Sequence, residues 1–380
     1  MDPHHAARTA CPPRPSAATL ALTLFAAAAM SALAAQPAPP TAAGETPATA
    51  PVNPIARRPL NVVVTIAPLR GLVEGLLPPG SSLTVLVPPG VSEHGYEIPP
   101  ASLARLARAD IVVKIGAGLE PQVEKFLSAN PRATRNVIVL EATAHAHEHA
   151  DDAAAAKDND ENASHAPAEK AADPAHAHNH DGPGHSCSVC GTHESDPHLW
   201  LNPAHAAALT RAVARAVMMR HITPEMLGSR SYDDVIDERL AAWPALHAQL
   251  ARIDRIDTAY RETLAGAKRR TIIVAHDAFG EIERRYNIRA VAIAGLHAGE
   301  PTPAAIRQAI ETIRAEGLTT VFIEPQLSPR AAKRIAETTG ARVDALDPLG
   351  TGDWFALMES NLAVLAKALD APTPKVSPAE

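Results

Sequence analysis

Three histidines of this 380-residue chain, His94, His198 and His276, lie far apart in sequence, yet each sits where an apolar run ends or a helical pattern begins. Neutral imidazole nitrogens drawn together from separate segments suit a divalent transition metal, zinc above all, which takes such ligands at about 2.0–2.1 Å in a tetrahedral set. Glu93 stands beside His94 in "VPPGVSEHGYEIPPASL". Neighbouring side chains on a strand face opposite ways, so both reach one ion only from a loop, which Pro88, Pro89 and Gly90 enforce. Glu93 is therefore expected as a direct or water-mediated fourth ligand.

The neighbours of these histidines are placed to support them. Pro197 fixes the backbone before His198, and Asp196 and Asp277 are expected to accept the second ring N–H of a ligand histidine. Asp347, in "LDPLG", is the weaker candidate ligand, because an aspartate there also caps the turn. Glu324 is read as bonding backbone at the floor of a cleft. A lone histidine is more often an ordinary surface or core residue, and His205, His221 and His247, within helical patterns, are read that way. His297, in "GLHAGEP", also follows a strand and stays in view.

Such a site needs strands that end together. From about Leu60, strand-like runs ("NVVVTIAPL", "SSLTVLV", "DIVVKIG", "NVIVLEA") alternate with helical ones ("LRGLVEGLL", "PPASLARLARA", "EPQVEKFLSA"). Strands apolar throughout and separated by helices signal a parallel sheet covered on both faces. The same grammar returns in "RTIIVA", "IRAVAIAG", "TTVFIEP" and "ARVDALDPLG". The predicted fold is α/β: two β/α lobes with parallel sheets, a first over 59–231 and a second over 269–371, joined by a long rigid connecting helix over 232–268 that Pro244 would kink. Ligands of open α/β sheets bind beyond the carboxyl ends of the strands, so the metal is expected on that rim.

The rest of the chain does not read as folded core. Residues 1–35 carry Arg8, Arg14, an alanine-rich apolar stretch and a small-x-small site at Ala32-Leu33-Ala34, the pattern of a secretory signal. A Pro/Ala linker follows over 36–58, and the tail over 372–380 is expected to fray. The segment 144–193 interrupts the first lobe with nine histidines, mixed charge and little apolar bulk, so it is predicted to be disordered. His145, His147, His149, His176, His178, His180 and His185 make it a weak sink for divalent ions. Cys187 and Cys190 are expected to form a small disulfide, or to join His180, His185 and His193 in an accessory zinc site. A net charge of -7 without a basic cluster argues against a nucleic-acid partner.

Taken in order, "SEHGYEIPPASLARLARADIVVKIG", "DPHLWLNP", "VAHDAFG", "FIEPQLSP" and "LDPLG" resemble the metal-specific substrate-binding proteins of bacterial ABC importers, and among them the zinc-binding ZnuA-like members. The resemblance runs from about Leu60 to Leu369. It implies two α/β lobes with a rigid helix between them and the ion in the cleft. It carries the family's ligands onto His94, His198 and His276, with Glu93 at the position of an acidic fourth ligand in some members. Manganese- and iron-carrying relatives use a carboxylate where this chain has His276 and rely on an aspartate at the position of Asp347. Two departures are Gly95, where an aspartate is common, and a second lobe without cysteines.

The expected function is high-affinity capture of Zn²⁺ in the periplasm and its delivery to the membrane permease of a zinc ABC importer, by a monomer that performs no covalent chemistry. Two other readings stay beside it. Three histidines with an open fourth position and a nearby glutamate can activate water in a zinc hydrolase, but the chain has no H-E-x-x-H, G-x-S-x-G or P-loop lysine motif. Buffering or storage through the histidine-rich loop is the third.

Overall fold

The computed structural model describes residues 58–142 and 196–375. The expected signal, the insertion over 144–193 with its histidines and both cysteines, and nearly all of the 36–58 linker lie outside the described residues.

The first sheet holds β1 (Asn61–Val64), β2 (Ser82–Val85), β3 (Ile111–Lys114) and β4 (Ile138–Glu141), all parallel, in the order β2-β1-β3-β4. The second repeats that arrangement with β5 (Thr271–His276), β6 (Arg289–Ala294), β7 (Thr320–Ile323) and β8 (Arg342–Ala345), in the order β6-β5-β7-β8. In each, the chain starts at an inner strand, steps to one edge and then crosses back. The loops after the first and third strands therefore diverge and leave a crevice at the carboxyl ends.

The strands alternate between two interiors, as side chains of period two must. Val62 and Val64 face one hydrophobic core while Val63 faces another; Ile272 and Val274 face that same first core while Ile273 faces a third. The first core is thus common to both sheets. It runs through helices α1 (Ala67–Val73), α2 (Pro203–Met219), α3 (Pro244–Ala265), α4 (Gly280–Tyr286) and α5 (Trp354–Ala368). Two indoles fasten it: Trp200 Nε1 donates to the Pro348 carbonyl at 2.6 Å, and Trp354 Nε1 to the Trp200 carbonyl at 2.7 Å. Both rings are buried, so each N–H needs such a partner.

The connecting helix expected over 232–268 is two helices. Tyr232–Ala241 forms one; Ala242 and Trp243 leave the helical path; Pro244 opens α3. Trp243 is extended, at φ -97° and ψ 99°, because the proline ring disfavours the helical region for the residue before it, and proline is at home in a first helical turn. Pro244 begins a helix rather than kinking one. Helix α3 packs on α2, α4 and α5. Among the described residues no helix is long and apolar enough to cross a membrane.

Candidate metal centre

The three expected imidazole ligands come from a loop after a strand, the start of a helical segment and the end of a strand. Glu93 and His94 lie in the loop after β2, bracketed by Gly90 at φ +82° and Gly95 at φ +73°. These left-handed turns, open to glycine without strain, bend the loop on both sides of the pair. Gly95 thereby gains a local reason for its departure from the family pattern. The His94 N–H is held by Ser92 Oγ at 3.2 Å.

His198 is oriented by its own segment. Asp196 Oδ1 accepts both its backbone N–H, at 3.0 Å, and its ring Nδ1–H, at 2.8 Å. The Trp200 ring lies behind it, with centroids 5.2 Å apart. His276 is the last residue of β5, and Glu324, directly after β7, accepts its N–H at 3.1 Å and its ring Nδ1–H at 2.7 Å. With Nδ1 committed to a carboxylate, both rings offer the Nε2 lone pair.

The Nε2 atoms converge. That of His198 is 3.4 Å from His94 and 3.2 Å from His276; Glu93 Oε1 is 3.7 Å from His94 Nε2 and 3.6 Å from His198 Nε2. A tetrahedron with arms of about 2.0–2.1 Å has edges of about 3.3–3.4 Å, close to all four distances. One ligand atom from each of Glu93, His94, His198 and His276 lies within 4.8 Å of the others, and three of the residues are buried. Glu93 Oε1 has no hydrogen-bond partner. A buried carboxylate oxygen is costly unless something positive meets it, and a cation shared with three imidazoles does so. The donor set of three nitrogens and one oxygen fits zinc.

The electrostatics divide the imidazoles. Burial, helped by the neighbouring rings and only partly opposed by Glu93, lowers the His94 pKa to about 4. Burial also works against charge on His198, but the Asp196 hydrogen bond and the nearby Asp196 and Glu93 carboxylates outweigh it and raise that ring to about 9. Burial likewise opposes ionisation of Glu93 and Asp196, yet their histidine contacts hold both carboxyls below the usual range. Burial pushes Glu324 up.

The remaining candidates are elsewhere. Asp347 is outside the ligand group: its Oδ1 accepts from Gln326 Nε2 at 2.8 Å and from the Leu349 N–H at 2.9 Å, which holds the turn. Asp277 is exposed and does not take the ring N–H expected of it; Asp196 and Glu324 do. His297 is exposed on the loop after β6, its ring centroid 5.8 Å from that of His94. His221 sits with its ring nitrogens 2.7 Å from the Val217 carbonyl and 3.0 Å from that of Arg58, a structural position. Sequence reasoning gave Glu324 a backbone partner and missed its ring contact. The available signal was its place directly after a strand that flanks the strand of His276. The proposed accessory ligands His145, His147, His149, His176, His178, His180 and His185 lie outside the described residues.

Comparison with known proteins places the chain in a zinc-uptake family. Residues 62–368 match the family described as "Zinc-uptake complex component A periplasmic". The zinc-binding lipoprotein AdcA of Streptococcus pneumoniae is 25% identical over 331 residues, which are 84% of this chain and 58% of that protein. This chain thus spans less than two thirds of that relative. The high-affinity zinc uptake system protein ZnuA of Bacillus subtilis is 22% identical over 328 residues, 82% of this chain and 88% of the relative. A crystal structure of ZnuA has a TM-score of 0.59 at 25% identity, covering 82% of this chain and 100% of that one. A ZnuA deletion mutant with zinc bound has a TM-score of 0.58 at 26% identity, covering 82% and 98%.

Proposed function

The chain belongs to the periplasmic zinc-uptake complex component A family, and on that premise we propose that it is a high-affinity Zn²⁺ carrier. It takes the ion from the periplasm on His94, His198, His276 and Glu93 and delivers it to the membrane permease of an ABC importer. The observation that carries this reading is the convergence of four ligand atoms within 4.8 Å, with a buried carboxylate oxygen among them that meets no hydrogen-bond donor.

The ligands divide the work. His94, kept neutral by burial, presents its lone pair without losing a proton. His198 gives up a proton when the ion arrives, since metal ligation needs the neutral ring. Glu93 supplies negative charge and closes the fourth position, so no open site is left for the water that a hydrolase would activate. Asp196 and Glu324 hold two of the rings from behind. Zn²⁺ is cargo here, bound and released unchanged.

Competitive titration against a chromophoric zinc chelator tests the reading. One tight site is expected in the intact chain, lost in His276→Ala and kept when residues 144–193 are deleted. Loss of the tight site on deletion of that segment would overturn the ligand set.

A further inference from the structure

Behind His198 the site is tied through Asp196 to side chains on α4 and at the start of α2. Asp196 spends Oδ1 on His198, and its Oδ2 lies 3.7 Å from Arg284 Nη2 on helix α4. The same guanidinium bonds Glu281 Oε1. Glu281 is 5% exposed, and its Oε2 accepts from Asn202 Nδ2 at 2.9 Å. Asn202 in turn caps α2, its Oδ1 accepting the Ala204 N–H at 2.9 Å. At Gly280 a Cβ would come within 2.6 Å of Asp196 Oδ2, so only glycine lets α4 approach this closely.

The partners come from different halves. Asp196 and Asn202 lie on the segment that leads into α2, which packs against β3 and β4 of the first sheet. Gly280, Glu281 and Arg284 lie on α4, which follows β5 and its terminal His276. A buried carboxylate such as Glu281 needs a cation. Arg284 supplies it while reaching toward a second carboxylate across the boundary, which its forked guanidinium allows and a point charge does not.

We propose that Arg284 and Glu281 form a latch between the halves that positions His198 through Asp196, so that the grip on the metal depends on a contact made by neither the ion nor a ligand. The proposal rests on the carrier reading above. With the latch closed, Asp196 is fixed and the His198 ring presents Nε2 in one orientation. With it open, Asp196 turns, the ring loosens and the ion leaves faster.

The test uses the full chain, Zn²⁺ titrated against a chelator, release followed by stopped flow, and Co²⁺ as a spectroscopic stand-in. Arg284 has a side chain 61% exposed, so Arg284→Ala leaves the cores intact. It is expected to weaken Zn²⁺ about tenfold, the lower end of the range for groups that support a ligand, mostly through faster release, and to shift the Co²⁺ absorption bands. Gly280→Ala, which keeps every polar group but wedges Asp196 aside, is expected to act in the same direction. In an Asp196→Asn background, where the latch has lost its target, Arg284→Ala is expected to add less than about twofold. Unchanged affinity and an unchanged Co²⁺ spectrum in Arg284→Ala, beside a tightly binding parent, would sink the latch alone; so would an equal loss in both backgrounds. A parent chain that binds no zinc tightly would remove the carrier reading and the latch with it.

Discussion

Glu324 Oε1 accepts two hydrogen bonds from one residue, His276, from its main chain at 3.1 Å and its ring at 2.7 Å. A single carboxylate thus fixes where the backbone of a ligand lies and which ring nitrogen faces the cleft. It stands at the end of β7, the strand that pairs with β5, so the sheet itself sets the orientation. Supporting carboxylates of this kind raise ligand basicity.

Replacing Glu324 with glutamine keeps the shape and removes the charge. Zinc affinity is expected to fall about 10- to 100-fold, with one zinc still bound per chain. Competitive titration measures the affinity. An unchanged value would show that the carboxylate only holds backbone.

Zinc binding should release a proton at neutral pH. In the metal-free protein His198 is raised to about 9 and is charged at pH 7, whereas the ligated ring is neutral. His94, at about 4, adds no proton there. Affinity is therefore expected to rise about tenfold per pH unit below pH 9 and to level off above it. Calorimetric titration in buffers with different ionisation heats reads the stoichiometry, and heats that do not vary with buffer would contradict it. The metal-free fold should show the opposite trend. A ring raised from 6.5 to about 9 contributes stability that is full below pH 6.5 and is lost as pH climbs through 9.

Much of this site can be read from the chain because its ligands sit at strand ends. His276 closes an apolar run, Glu93 and His94 follow one between prolines, and a proline precedes His198. What lies between elements is less legible. Val62, Val63 and Val64 are alike as residues, so nothing local says which of them meets the other half. Leu246, Leu250, Ile253 and Ile256 keep a helical spacing inside α3, and that periodicity does not reveal that the helix before it is separate. Asp196, two residues before His198, is legible; the choice of Glu324 over Asp277 depends on which strands are neighbours, and Arg284 meets Asp196 only through tertiary structure.

Trp354→Ala should be the more damaging kind of change for the fold. The residue is fully buried and its indole holds the Trp200 carbonyl, two residues beyond His198. A loss of about 3–5 kcal/mol is expected, measured by urea unfolding of the metal-free chain. Zinc affinity should fall as well. A loss below about 1 kcal/mol would mean that the site collapses around the gap.

Gly95→Ala isolates a backbone effect. Nothing lies within 4 Å of the added Cβ, and only the φ of +73° opposes it. A cost of about 1–2 kcal/mol is expected, with weaker zinc binding as His94 is displaced. Gly90→Ala, at φ +82° on the other side of the pair, should behave alike. Affinities equal to the parent in both would show that the loop reaches the ion by another path.

The core common to both sheets bears on how cargo comes and goes. Two halves that share one interior and are pinned by a chain of indoles cannot swing apart without exposing it to water. His94 is the ligand that keeps partial contact with solvent, and it rides between two glycine pivots. A transporter that peels this short arm aside would free the ion while the body of its carrier stays still.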